Sequence, residues 1–359
     1  MPIVRKPARP ERNLYIDECR GIAALSVIAI HTAFYGFPDV AEWFKSLTLF
    51  IDVPFFFYLS GWASSYSNPD VIKALKSILR IWSKWIVFIL AINIFCFISL
   101  KLPFPYAPLR SPVDLFKALV FDEQTSPGFF VVGMSVWFIP FYFMVLLLNN
   151  SALTLIRRSV RSKEYSIAYL VFQLLIVLWA YIHPDVFGYY PPFIMFYGAI
   201  WMIGYIRAEK RDSLKSLLCA LAICLAGLFV FSYLDAYLRG IPWYNVQLAK
   251  IIPSGKYLFV SSFAILIAGN LERFSYKPNK WLVHIGKNAI YYFFGQGVGS
   301  SILAYGQISL NIRPWFLKWL VYFLINIVIT VIVAESTRYI YTGISTLVTG
   351  IYKKIRRIE

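Results

Sequence analysis

The chain has 359 residues, 59% of them hydrophobic, 19% aromatic and only 15% charged, with a net charge of +17. Soluble domains are about half apolar and roughly a quarter charged, so the composition excludes an ordinary soluble domain. The basic residues fall in gaps between long apolar runs, which argues against a nucleic-acid surface and for a chain sorted by a membrane.

The apolar runs are continuous rather than short and alternating, so the expected fold is all-α, a polytopic bundle of transmembrane helices and not a barrel. Ten stretches are long enough for about 30 Å of hydrocarbon. They lie near 14–36, 46–66, 79–100, 132–149, 166–183, 190–206, 214–234, 256–271, 284–306 and 315–342. The first opens with acidic residues and has no small-residue cleavage site, so it reads as a retained helix and not a signal peptide. With the N-terminus placed in the cytoplasm and the spans alternating, 23 of the 35 Lys and Arg fall inside, nine outside and three within spans. That asymmetry supports an even count with both termini cytoplasmic. The expected organisation is a basic N-terminus (1–13), a transmembrane domain (14–342) and a basic tail (343–359), with 101–131 and 235–255 as the longest outside segments.

Within the first span, "ECRGIAALSVIAIHTAF" (18–34) carries Arg20 and His31. They sit about 20° apart around the axis and about 16 Å apart along it, with Asp17 about 40° from His31. One polar stripe thus holds a carboxylate and a guanidinium near the start of the helix and an imidazole further in. Ionisable groups in a span are costly and face a cavity or a partner. The alternative is that Arg20 snorkels and His31 makes one interhelical hydrogen bond. In "FIDVPFFFYLSGWASSY" (50–66), Asp52 precedes Pro54, which starts or kinks a helix. Phe55 and Phe56 follow, and Ser60 and Gly61 form a small-residue packing face. A nucleophilic Ser60 would need a base that spacing does not supply. In "LRIWSKW" (79–85), Arg80 and Lys84 share a face, suited to phosphates or to setting topology.

Aromatics and acids of the outside segments (Tyr106, Trp243, Tyr244, Asp122, Glu123) suit either a sugar or an interfacial belt. "GQGVGS" (295–300) lies mid-span with no preceding strand, so Gly295 and Gly299 read as a packing face and not a dinucleotide fingerprint. His183 sits in an outside turn and His284 at a cytoplasmic edge, and no ligand cluster points to a metal. Cys19, Cys96, Cys219 and Cys224 form no CxxC pair and are expected as buried free thiols.

"RNLYIDECRGIAALSVIAIH" (12–31) resembles the opening of the acyltransferase family 3 membrane proteins, polytopic O-acyltransferases of cell-surface glycans and related acceptors. The family pattern of Arg, ten residues, then His falls on Arg20 and His31. "FIDVPFFFYLSGW" is similar to the second-span signature through Phe55, Phe56, Ser60 and Gly61. An Arg-x-x-x-Arg motif falls on Arg80 and Lys84, where Lys keeps the charge and loses the planar fork. "SVWFIPFYF", with Trp137, and "HIGKNAIYYFF" are weaker likenesses, and a late family histidine is replaced near Gln296.

The resemblance implies acyl-coenzyme A, with acetyl the expected group, as a co-substrate and no bound cofactor. It implies phosphate binding by Arg20, Arg80 and Lys84, with His31 as general base or acyl carrier and Asp17 fixing Arg20. The expected partners are the lipid bilayer and a glycan or lipid-linked glycan acceptor, with no nucleic acid. The expected location is the bacterial inner membrane. A transporter or flippase of a lipid-linked glycan is the competing reading, since it too needs a polar cavity in a helical bundle.

Overall fold

The computed structural model describes residues 12–37, 39–102, 105–157, 159, 162–183, 190–207, 213–251, 253–272, 277–306, 308 and 310–355. Among the expected topology charges, Arg5, Lys6, Arg9, Arg158, Arg161, Lys210, Arg211, Arg273, Arg356 and Arg357 lie outside the described residues, as does most of the turn after His183. All regular structure among the described residues is helical. In chain order the helices are α1 (Leu14–Tyr35), α2 (Glu42–Thr48), α3 (Val53–Ser65), α4 (Val71–Ser99), α5 (Pro112–Leu119), α6 (Phe130–Ser135), α7 (Phe138–Ile156), α8 (Ser162–Ile182), α9 (Tyr190–Arg207), α10 (Leu214–Arg239), α11 (Val246–Ile251), α12 (Gly255–Leu271), α13 (Lys280–Lys287), α14 (Ala289–Ala304) and α15 (Trp315–Ile355).

Among the described residues, six helical stretches are long and apolar enough to cross a membrane: Glu42–Ser65, Val71–Ser99, Phe130–Ile156, Ser162–Ile182, Leu214–Arg239 and Trp315–Ile351. The other expected spans fall on α1, which carries Asp17, Glu18 and Arg20; on α9; on α12, which has 17 residues; and on the interrupted pair α13–α14. Expected boundaries shift in three places. The stretch 46–66 breaks between α2 and α3, where Asp52 and Pro54 start a new helix. The stretch 284–306 breaks at Asn288. The expected short tail after 343 instead continues α15 to Ile355.

The bundle has two faces. The start of α1 lies with the ends of α3 and α12, where Asn13 Nδ2 donates to Tyr66 OH (3.2 Å) and Glu272 Oε1 (2.8 Å); this is the proximal face. The end of α1 lies at the distal face, where Phe37 meets Tyr322 edge-on and Tyr305 OH donates to the Gly128 carbonyl. Helix α1 packs on α3, α13, α14 and α15. It starts cleanly because Asn13 Oδ1 caps the Tyr15 and Ile16 amides.

Helices α3 and α9 touch backbone to backbone: a Cβ at Gly61 would run into the Trp201 carbonyl, and one at Gly204 into the Tyr58 carbonyl. The expected packing face at Gly61 is thus present. Gly295 and Gly299 likewise face Thr330 and Asn326 of α15. The cysteines are free, but Cys219 is exposed rather than buried, because α10 presents nearly its whole surface outward and buries only Cys224 and Asp235.

The stretch 101–131 is not a loop lying outside the bundle. It re-enters beside α4, and α4 side chains satisfy its backbone. Asn93 clamps Leu109 by accepting from its N–H (2.7 Å) and donating to its carbonyl (3.2 Å). Further along α4, Trp85 Nε1 donates to the Ala118 carbonyl (2.8 Å) and Trp82 Nε1 to the Leu119 carbonyl (2.9 Å). Irregular backbone at membrane depth is tolerated only when protein groups pair it. The chain turns back at Phe121, whose left-handed φ of 69° is held by stacking of its ring on Trp85 at 5.4 Å.

Candidate active site

At the proximal end of α1, Asp17 is 1% exposed and binds two guanidinium groups. Arg12 Nη2 lies 2.9 Å from Oδ1, and Arg20 Nη1 lies 3.2 Å from the same oxygen. The expected pairing of Asp17 with Arg20 is present, with Arg12 added. Arg20 and Arg12 line a small cavity of about 140 Å³ with Asn13 and Tyr66. Lys84 sits elsewhere, with its ammonium 4.7 Å from the Tyr291 ring and 5.9 Å from that of Tyr341, and Arg80 beside it is exposed. Among the described residues no hydrogen bond, ion pair or ring contact joins Arg20 to Arg80 or Lys84. The three cations therefore form two groups. His284, also proximal, pairs with Glu335 at 2.8 Å, and Arg338 and Tyr292 bind the same carboxylate.

His31 lies four residues before the distal end of α1, on the stripe the sequence draws through Arg20. About 21 Å of helix separates it from Asp17, so these two do not act on one atom. Its partners come from distant parts of the chain. Gln296 of α14 and the charges of Lys250 and Asp52 bear on the ring. Tyr35 packs edge-on at 5.6 Å. Nδ1 is the buried nitrogen and has no hydrogen bond of full geometry, while the ring itself is only part-buried. Nε2 is therefore the nitrogen available to a substrate.

Asp52 does not cap α3 with its side chain. Instead Oδ2 accepts from Lys250 Nζ and from Tyr257 OH, each at 2.7 Å. Lys250 also lies 5.1 Å from the Trp137 ring, a cation–π distance. Lys250 and Trp137 then line a polar cavity of about 320 Å³ with Glu123, Phe141, Tyr190, Phe193 and Gln247. Partial burial and the neighbouring Asp122 raise the Glu123 carboxyl above the ordinary carboxylate range. One ion pair thus links the surroundings of His31 to a cavity with aromatic walls and polar corners.

The other sequence candidates are structural. Ser60 Oγ contacts Tyr142 OH (3.0 Å) and accepts from Trp201 Nε1 (3.3 Å), tying α3 to α7 and α9. Phe55 is buried and Phe56 partly so. Of the outside aromatics and acids, Glu123 reaches the polar cavity. Trp243 and Tyr244 line a separate, mainly apolar groove, and the Tyr106 ring packs tilted against Phe129. Sequence reasoning missed Lys250 and Gln296 as groups that bear on His31, and Tyr257 as a partner of Asp52.

The family model for an acyltransferase domain of the acyltransferase 3 type matches residues 13–335. No curated protein and no solved structure matches the chain.

Proposed function

The chain belongs to the acyltransferase 3 family, and from that premise we propose that it is a membrane O-acyltransferase moving a short acyl group, acetyl first, from acyl-coenzyme A to a hydroxyl of a cell-surface or lipid-linked polysaccharide. The observation that carries this reading is the placement of His31, an imidazole in an apolar bundle with one nitrogen available and an ion pair connecting its surroundings to a polar cavity. Arg20, beside the proximal cavity, takes donor phosphates, with Arg80 and Lys84 as a second cationic group along the same face. Asp17 holds Arg20 in place. The acceptor hydroxyl enters from the distal cavity, where Trp137, Tyr190 and Phe193 offer apolar faces and Glu123, Gln247 and Lys250 offer hydrogen bonds.

The chemistry follows. Nε2 of His31 takes the proton of the acceptor hydroxyl as its oxygen attacks the thioester carbonyl carbon. The C–S bond breaks, and the imidazolium returns the proton to the thiolate of coenzyme A. The ten-helix arrangement, cytoplasmic termini and a bacterial inner membrane complete the reading, which puts donor and acceptor on opposite sides.

The test is His31→Ala in cells, with mass spectrometry of surface glycans. Loss of a fixed acyl mass, with expression unchanged, is the expected result, and that mass identifies the group. Full acylation in the variant would overturn the role of His31. In membranes, turnover of labelled acetyl-coenzyme A separates this reading from transport, which proceeds without acyl cleavage.

A further inference from the structure

Two apolar cavities lie end to end along α12. At its distal end, Lys256 and Val260 line the groove of about 840 Å³ that Trp243 and Tyr244 also line. Within one turn, Phe263 and Ala264 open a second cavity of about 440 Å³, which follows Ile267 and Leu271 to the proximal end, with Cys19 and Ile22 of α1 in its wall. Phe50 lines both, its ring 6.1 Å from that of Phe263. These α12 residues recur every three or four positions, so they share one face, and from Lys256 to Leu271 they follow about 22 Å of helix. Phe229, Tyr233, Ile267 and Leu271 are exposed, so the groove opens sideways toward lipid. Its ends differ in charge. Lys256 is fully buried, its ammonium donates to the Pro242 and Asn245 carbonyls (2.9 and 3.0 Å), and among the described residues it forms no ion pair. Asp235 bears on it from beyond ion-pair distance and is itself bound by Tyr181 and Ser254. A buried cation without a counter-ion favours an anion beside it. Glu18 lines the proximal end, where its carboxylate accepts from the Asn279 N–H (3.2 Å) and disfavours a second anion.

We propose that this groove holds the lipid of a lipid-linked acceptor: an anionic carrier with one long chain, its phosphate beside Lys256 and its chain running along α12 toward the proximal face. Length selects the carrier over a membrane phospholipid. One leaflet is about 15 Å deep in hydrocarbon, half of the apolar core, so a phospholipid chain seated at the distal face ends well short of Leu271. Charge selects the direction, with the cation at the distal end and the carboxylate at the proximal one. The groove also adjoins the site. The six-residue helix α11 gives Val246 to the groove and Gln247 and Lys250 to the polar cavity, so it is a wall common to both. A glycan attached to a phosphate at Lys256 passes this one short helix to bring a hydroxyl toward His31. The assignment rests on the acyltransferase reading and chooses, within it, the lipid-linked acceptor over a free surface polymer.

The full-length protein in nanodiscs of phosphatidylcholine is titrated with a long-chain polyisoprenyl phosphate, with geranyl phosphate and with phosphatidylglycerol, and bound lipid is counted by native mass spectrometry. The long-chain phosphate is expected to bind about 10-fold tighter, or more, than either of the others. Ala264→Trp fills the proximal cavity and should bring the long-chain probe down to the level of geranyl phosphate. Lys256→Met should weaken both isoprenyl phosphates by about 10-fold, the loss of one charge-assisted hydrogen bond. Phosphatidylglycerol binding as tightly as the long-chain probe would make this an ordinary phospholipid contact and overturn the proposal, and so would a chain-length preference that survives Ala264→Trp. If either variant fails to fold, the comparison of probes on the parent chain decides. Long-chain selectivity in a protein that never cleaves acetyl-coenzyme A would sink the proposed function and spare this assignment; acyl transfer that depends on His31, without chain-length selectivity, would do the reverse.

Discussion

Asp52 stands where α3 begins, yet its carboxylate binds Lys250 and Tyr257 instead of capping the helix. The side chains are 3% and 13% exposed for Asp52 and Lys250, so removing one partner strands a charge in a poor solvent. Asp52→Asn should therefore destabilise the protein by about 3 kcal/mol, measured as thermal unfolding in detergent. Asp52→Asn combined with Lys250→Met should recover much of that stability, because the stranded ammonium is gone, while acyl transfer stays impaired. A single variant as stable as wild type would show that the pair is not buried. The sequence exposes half of this site. His31 and Arg20 are legible because they share one helix, where spacing converts directly into geometry. Asp52 is visible as a charge before a proline, but its partner is not. Lys250 counts in the sequence as one more outside cation, and Gln296 as a polar residue in a glycine-rich span. Their meaning depends on which helices pack together, and a lysine near a membrane edge carries no mark of its partner.

The same division between local and long-range information appears at the element scale. Hydropathy finds α4 as a span and places 101–131 outside, because that segment is rich in proline and carries charges. The re-entry depends on Asn93, Trp82 and Trp85, which in a sequence look like an ordinary polar residue and interfacial aromatics. Asn93→Leu keeps the volume roughly constant and leaves the Leu109 N–H and carbonyl unpaired, at about 1–3 kcal/mol for each group. The segment should then leave the bundle. A cysteine in place of Phe116, which is 65% exposed, should react with a membrane-soluble maleimide in the parent chain and with a water-soluble one once Asn93 is replaced. Unchanged labelling would mean that Asn93 does not hold the re-entrant turn. The α3–α9 seam offers a second test: Gly61→Ala puts a methyl against the rigid Trp201 carbonyl and should destabilise by about 1–3 kcal/mol, typical of overpacking. The Ser60-Gly61 pair is the part of this seam that sequence alone identifies, since small residues mark close helix contacts in membranes.

Across the whole molecule, helix directions constrain how often the chain crosses. Tyr181 near the end of α8 donates to Asp235 near the end of α10 (2.9 Å), so these helices run the same way. Two successive parallel spans need a crossing between them, which falls to α9, whose tyrosines, prolines and terminal arginine lower its hydropathy below that of the six longer stretches. Ser254, at the start of α12, donates to Asp235 (2.8 Å), while the end of α12 meets Asn13 at the start of α1 through Glu272. Helix α12 therefore runs back across the bundle despite its 17 residues. The start of α1 meets the end of α3 through Tyr66, and the end of α14 meets Gly128 on the far side. Together these contacts predict ten crossings, more than the six that length and apolarity alone support, and termini on one side. Labelling of intact cells and inverted vesicles with an impermeant maleimide checks this. Ser67→Cys, in the turn after α3, should react only from the cytoplasm. Trp243→Cys, 74% exposed beyond α10, should react only from the opposite side. Both reacting from one side would remove one of the crossings between them, α9 first, and with it the placement of donor and acceptor on opposite faces.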